Sequence, residues 1–143
     1  MRDSVKALTA VDWRELGFWF DYTPQSGWVI LGSKSGIERL ASLLEAYGRN
    51  PRNAPVSEHD HFGPYMYLKF VTWSSPEINP DGFYGSLPDL LRLAELIRKQ
   101  IAVGNSTNSL ELSTLYSPSS TSALTITIEH ETFDPASADA ELK

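Results

Sequence analysis

Gly32-Ser33 followed by Ile37, Arg39, Leu40, Ala41, Leu43 and Leu44 recurs 53 residues later as Gly85-Ser86 followed by Leu90, Arg92, Leu93, Ala94, Leu96 and Ile97. A small-residue break followed twice by the same apolar spacing commits the chain to two similar passages from strand to helix. The matched positions are a helix start and a buried helical face. They constrain architecture and carry no reactive group.

The stretches around the two copies complete the pattern. Leu16, Phe18, Phe20 and Tyr22 alternate with Gly17, Trp19, Asp21 and Thr23, the period of a strand. A turn at residues 24–27 leads to a second strand, Trp28 to Leu31, so the pair reads as a hairpin. Ser33 or Ser35 caps the first helix, whose stripe is Ile37, Leu40, Ala41, Leu44 and Tyr47, and Gly48 ends it. Residues 49–63, with two prolines, Asn50, Asn53 and a charged cluster, read as an exposed connection.

Tyr65 to Trp73 is the clearest strand, rich in aromatic and β-branched residues. Asn79-Pro80-Asp81-Gly82 predicts a turn, and a short strand from Phe83 to Gly85 follows. Ser86 caps the second helix, with Pro88 in its first turn and Leu90, Leu93, Ala94, Ile97 and Ile101 as its stripe. Arg98 and Lys99 lie near its end, where the helix dipole favours cations, and Gly104 closes it. Asn105-Ser106-Thr107 has the glycosylation spacing but reads as a turn. Leu110 to Tyr116 and Ala123 to Glu131 are the last two strands, around a turn at 117–122.

The order ββα, ββα, ββ predicts an α+β domain over residues 1–133, with an antiparallel or mixed sheet and both helices on one face. The tail, 134–143, is acidic and small-residue-rich and is expected to be flexible. At 143 residues one core is expected.

Composition narrows the function. With no cysteine, thiolate nucleophiles, disulfides and cysteine-held metals are excluded. Met1 to Trp13 has no continuous apolar run, so neither a signal peptide nor a membrane anchor is expected, and the expected location is cytoplasmic. Residues 1–72 hold eight basic and eight acidic side chains, whereas residues 73–143 hold four basic and ten acidic. That excess opposes binding to a phosphate backbone and favours a basic partner.

If the helices cover one sheet face, alternation assigns the other. Met66, Leu68 and Phe70 suit the core, which leaves Tyr65, Tyr67, Lys69 and Trp73 opposite, joined by Trp19 and Asp21 and by Thr125, Thr127 and Glu129. Tyrosine and tryptophan combine apolar area with a polar handle and are enriched at interface hot spots. Trp19, Asp21, Tyr65, Tyr67, Lys69 and Trp73 are therefore the candidate partner-binding residues. The bland alternative packs these rings under the 49–63 connection, the tail or a second copy of the chain.

Glu58-His59-Asp60-His61 gathers potential ligands and proton carriers. His-x-His suits a metal when both rings share one side of an extended segment, but zinc needs three or four ligands and His130 is distant in sequence. The cluster reads first as a solvated loop, with no metal and no cofactor called for. Leu31-Gly32-Ser33-Lys34-Ser35 lacks the preceding loop of a phosphate cradle, and no Gly-x-Ser-x-Gly elbow occurs.

The run His61-Phe62-Gly63-Pro64-Tyr65-Met66-Tyr67-Leu68-Lys69, with Gly85-Ser86 and Asp89-Leu90-Leu91-Arg92-Leu93-Ala94-Glu95-Leu96-Ile97, resembles small bacterial proteins of the immunity class in polymorphic-toxin loci. The similar portion spans residues 59–101. This resemblance implies a non-enzymatic protein that neutralises a toxin by binding it, so no catalytic residue carries over.

The leading expectation is thus a protein-binding module, an immunity-type inhibitor of a basic toxin, with no nucleic-acid or membrane partner. One alternative is a small hydrolase or metal-dependent enzyme using His59, His61 and nearby carboxylates. Another is a structural homodimer joined through the aromatic face.

Overall fold

The computed structural model describes residues 2–103 and 109–143, and of Met66 the backbone alone. Helix α1 (Asp3–Leu16) comes first, then strands β1 (Phe18–Thr23) and β2 (Gly27–Gly32) and helix α2 (Lys34–Arg49). Strands β3 (His59–Phe62), β4 (Leu68–Thr72), β5 (Glu77–Asn79) and β6 (Gly82–Gly85) lead to helix α3 (Leu87–Val103). Strand β7 (Ser109–Glu111), the short helix α4 (Ser113–Tyr116) and strand β8 (Leu124–Ile128) follow. The fold is α+β.

The strands form two four-stranded sheets, ordered β1-β2-β8-β7 and β3-β4-β6-β5, where a single sheet was expected. In each, a central parallel pair is flanked by antiparallel partners: β2 with β8 in one, β4 with β6 in the other. A hairpin pairs with itself and then needs a neighbour for its inner strand. The opening hairpin takes β8 as that neighbour, and β3 to β6 are left to build the second sheet.

Both helix starts follow their sequence signals. Ser33 Oγ accepts from Gly36 N at 3.2 Å. Ser86 and Asp89 cap each other reciprocally, Asp89 N to Ser86 Oγ at 3.2 Å and Ser86 N to Asp89 Oδ2 at 3.0 Å. The stripes of α2 and α3 pack together, with Ile37, Leu40, Leu44, Leu90, Leu93 and Ile97 all at most 1% exposed. Arg98 of α3 also reaches across to Glu38 (2.9 Å) and Glu45 (3.2 Å) on α2.

Aromatic side chains join the two sheets. Trp28 of β2 meets Phe83 of β6 edge-on at 6.0 Å, and Phe83 stacks on Phe70 of β4 at 5.8 Å. The Trp28 indole N–H donates to the Asn79 carbonyl at 2.8 Å. The turn after β5 forms as its residues dictate, with Asn79 Oδ1 accepting from the N–H groups of Asp81 (2.9 Å) and Gly82 (3.3 Å).

Five expectations need correction. Helix α1 has no counterpart among the expected elements, because it buries only Thr9 and Trp13 and leaves Val5, Leu8 and Val11 exposed, so its apolar stripe is weak. The 49–63 connection contains a 3-10 turn at Pro51–Asn53 and strand β3, whose polar side chains hide its strand character. The Tyr65 to Trp73 strand is only Leu68–Thr72; Tyr65 lies in a 3-10 turn, Pro64–Met66, with φ at +66°.

Leu110 to Tyr116 is not one strand. The Glu111 carboxylate accepts from Ser113 N at 2.9 Å and Leu124 N at 3.3 Å, which turns the chain from β7 into α4. The 134–143 tail does not fray: Pro135–Ala138 and Ala140–Leu142 form 3-10 turns, started by Asp134 and Asp139 and packed on α1. Ala136 and Asp139 are buried there. Gly104, Asn105-Ser106-Thr107 and the Met66 side chain lie outside the described residues; Leu68 and Phe70 are in the core as expected.

Candidate functional site

Strand β1 is the edge of its sheet, and its consecutive residues Trp19, Phe20, Asp21 and Tyr22 form one wall of a cleft of about 750 Å3. Buried Trp13 and Trp28 also line it. Tyr65, Tyr67, Lys69, the Pro80-Asp81 turn and residues 138–141 of the C-terminal segment complete its lining. Its size is that of a site for a drug-sized ligand or a short peptide segment.

The sharp approach of Tyr65 to this cleft depends on Gly63. Its φ of +79° is open to glycine, and a Cβ there would lie 2.4 Å from the Phe20 ring. Tyr65 follows in the left-handed region, a conformation that non-glycine residues hold only when the surroundings demand it. The demand is visible: its hydroxyl donates to Asp139 Oδ2 at 2.8 Å, and its ring meets Trp13 edge-on at 6.4 Å. Tyr67 then stacks on Tyr65, with ring centroids 5.9 Å apart and 29° between planes. Tyr67 is 68% exposed where it lines the cleft.

Asp139 organises the side wall. Its Oδ2 accepts from both Trp13 Nε1 and Tyr65 Oη, and its Oδ1 accepts from Glu141 N at 2.9 Å. Burial, and then the hydrogen bond to a carboxylate that wants the phenol neutral, push the Tyr65 pKa up to about 12. Nearby, the Arg14 guanidinium hydrogen-bonds Asp134 at 3.0 Å and draws its carboxyl below the ordinary value.

The cleft is electrostatically lopsided. Asp21, Asp81, Asp139 and Glu141 line it against Lys69. Asp139 is committed to its three donors, and Asp81 has a long contact of 3.5 Å from the Tyr84 hydroxyl. Among the described residues, the carboxylates of Asp21 and Glu141 make no hydrogen bond or ion pair.

Five of the six candidate partner-binding residues, Trp19, Asp21, Tyr65, Tyr67 and Lys69, are therefore brought together. Trp73 is not. It lies just past the end of β4, four residues or about 13 Å of extended chain from Lys69, beside Tyr84 at 5.9 Å. Thr125, Thr127 and Glu129 are also away from the cleft. Glu58, His59, Asp60 and His61 sit on or beside β3 and do not line it. The His59 and His61 rings meet edge-on at 5.1 Å on one side of the strand. Among the described residues, no group of three His, Cys, Asp or Glu side chains stands where a metal could be held.

Trp13, Tyr22, Trp28, Asp139 and Glu141 belong to the cleft without having been singled out from sequence. Trp13 carries no strand alternation, and Asp139 and Glu141 lie in a segment whose composition reads as unfolded. Comparison of the chain with protein-family models, with curated proteins and with solved structures found no match. No described helix is long and apolar enough to cross a membrane.

Proposed function

We propose that this chain is a non-enzymatic protein-binding module that docks a basic partner through the β1-edge cleft. The observation that carries the reading is the stacked Tyr65–Tyr67 pair in a cleft lined by further aromatic rings and by unpaired carboxylates. Exposed rings of this kind supply hot-spot area with little side-chain entropy to lose, and the acidic charge speeds encounter with a basic surface. A cytoplasmic immunity-type inhibitor of a basic toxin is the specific form we favour. Tyr65, Tyr67 and Lys69, which line the cleft, belong to the run that carries the resemblance to that class.

The test is affinity for a partner recovered from the native host. Tyr67→Ala is expected to weaken binding by about thirtyfold, the size of a hot-spot loss, whereas Trp73→Ala leaves it within a factor of about three. Wild-type affinity in Tyr67→Ala refutes the docking surface.

A further inference from the structure

The charge pattern of the cleft narrows what a partner inserts there, an inference that rests on the docking role proposed above. Four acids, Asp21, Asp81, Asp139 and Glu141, line the cleft against a single cation, Lys69. Asp21 and Glu141 are exposed and unpaired, Asp81 is nearly so, and Lys69 forms no ion pair with any of them. An excess of carboxylates around one cleft favours an incoming cation.

The aromatic content decides which cation. A lysine ammonium is a compact, strongly hydrated charge, and stripping its water beside apolar rings is costly. A guanidinium is planar and weakly hydrated; it stacks on a ring face and offers parallel N–H groups to carboxylates. We infer that the cleft receives an arginine side chain of the partner protein, stacked against the exposed Tyr67 ring and hydrogen-bonded by Asp21 and Glu141. The volume of about 750 Å3 leaves room for the flanking peptide as well.

The four tryptophans provide the readout, because Trp13, Trp19 and Trp28 line the cleft and Trp73 does not. The full chain, isotope-labelled, is titrated with acetyl-Gly-Arg-Gly-amide and with its lysine and citrulline counterparts while the indole N–H resonances are followed. The arginine peptide is expected to shift the Trp19 resonance saturably and to leave Trp73 in place. Citrulline, isosteric but uncharged, should bind about tenfold more weakly or worse, and Asp21→Asn with Glu141→Gln should cost the arginine peptide a similar factor. Both substitutions are at exposed positions, and unmoved Trp13 and Trp28 resonances verify the fold.

Absence of a saturable shift, an equal response to citrulline, or an unchanged affinity in the double variant overturns the inference. Equal binding of the lysine peptide overturns the choice of arginine. If those results come while Tyr67→Ala still weakens the partner complex, the docking role stands and the arginine falls; normal partner binding by Tyr67→Ala removes the docking role itself.

Discussion

Trp13 and Asp139, 126 positions apart in the chain, are joined by a buried hydrogen bond of 2.8 Å from the indole Nε1 to Oδ2. The same oxygen holds the Tyr65 hydroxyl, so one carboxylate ties the first helix, the cleft wall and the C-terminal turns together. Asp139→Ala leaves the Trp13 N–H buried without its acceptor, and a loss of about 1–3 kcal/mol is expected. Asp139→Asn keeps an oxygen at the site and should cost less than half as much. Urea unfolding midpoints at neutral pH compare the two.

Tyr65 should titrate late. Its pKa in the folded protein is about 12, against about 10 for an unperturbed phenol. The unfolded chain therefore releases this proton first, so the contribution of Tyr65 is complete below pH of about 10 and lost as pH rises through about 12. Phenolate absorbance, with Tyr65→Phe subtracted, isolates the step from those of the other tyrosines. Asp139→Asn should move it only part of the way back, because burial is the larger cause.

Gly63→Ala tests whether the turn before Tyr65 tolerates a side chain. At φ of +79° and ψ of 176° the backbone is in a region that only glycine occupies readily, and the added methyl meets the Phe20 ring. A destabilisation of about 1–3 kcal/mol is expected, read from thermal or denaturant unfolding. Stability equal to wild type would mean that the turn adopts another path.

Leu93→Ala probes the helix pair. Leu93 is fully buried on the face of α3 that packs on α2. Its truncation should cost about 2–5 kcal/mol, with the spread set by how far the site collapses. A denaturant midpoint unchanged by the substitution would remove Leu93 from the core.

Tyr67→Ala should leave stability within about 0.5 kcal/mol, because its ring is 68% exposed. A clear loss of stability would make Tyr67 a structural residue and void its use as a test of docking.

Much of this fold is legible in the sequence where a local rule acts alone. The stripes of α2 and α3, the caps at Ser33 and Ser86 and the turn at Asn79 all follow from spacing and side-chain chemistry within a few residues. The aromatic face is legible too, since Trp19 and Asp21 alternate with core residues along β1. What escapes is set by partners far along the chain. Strand β3 looks like a polar loop until β4 is laid beside it, and residues 134–143 look unfolded until Trp13 and Arg14 bind Asp139 and Asp134. Alternation groups Tyr65 with Trp73 only if one strand runs through both, and the left-handed backbone at Tyr65 separates them.

The parallel seam between β2 and β8, from Trp28 beside Leu124 to Gly32 beside Ile128, has a consequence for how the protein is made. A nascent chain that has already emerged as far as α2 holds only half of its first sheet. The inner border of β2 stays open, ready to pair with the wrong strand, throughout the synthesis of everything between. Closure of that border must wait for the last strand, so assembly falls late in translation, when the most distant contacts can at last be made.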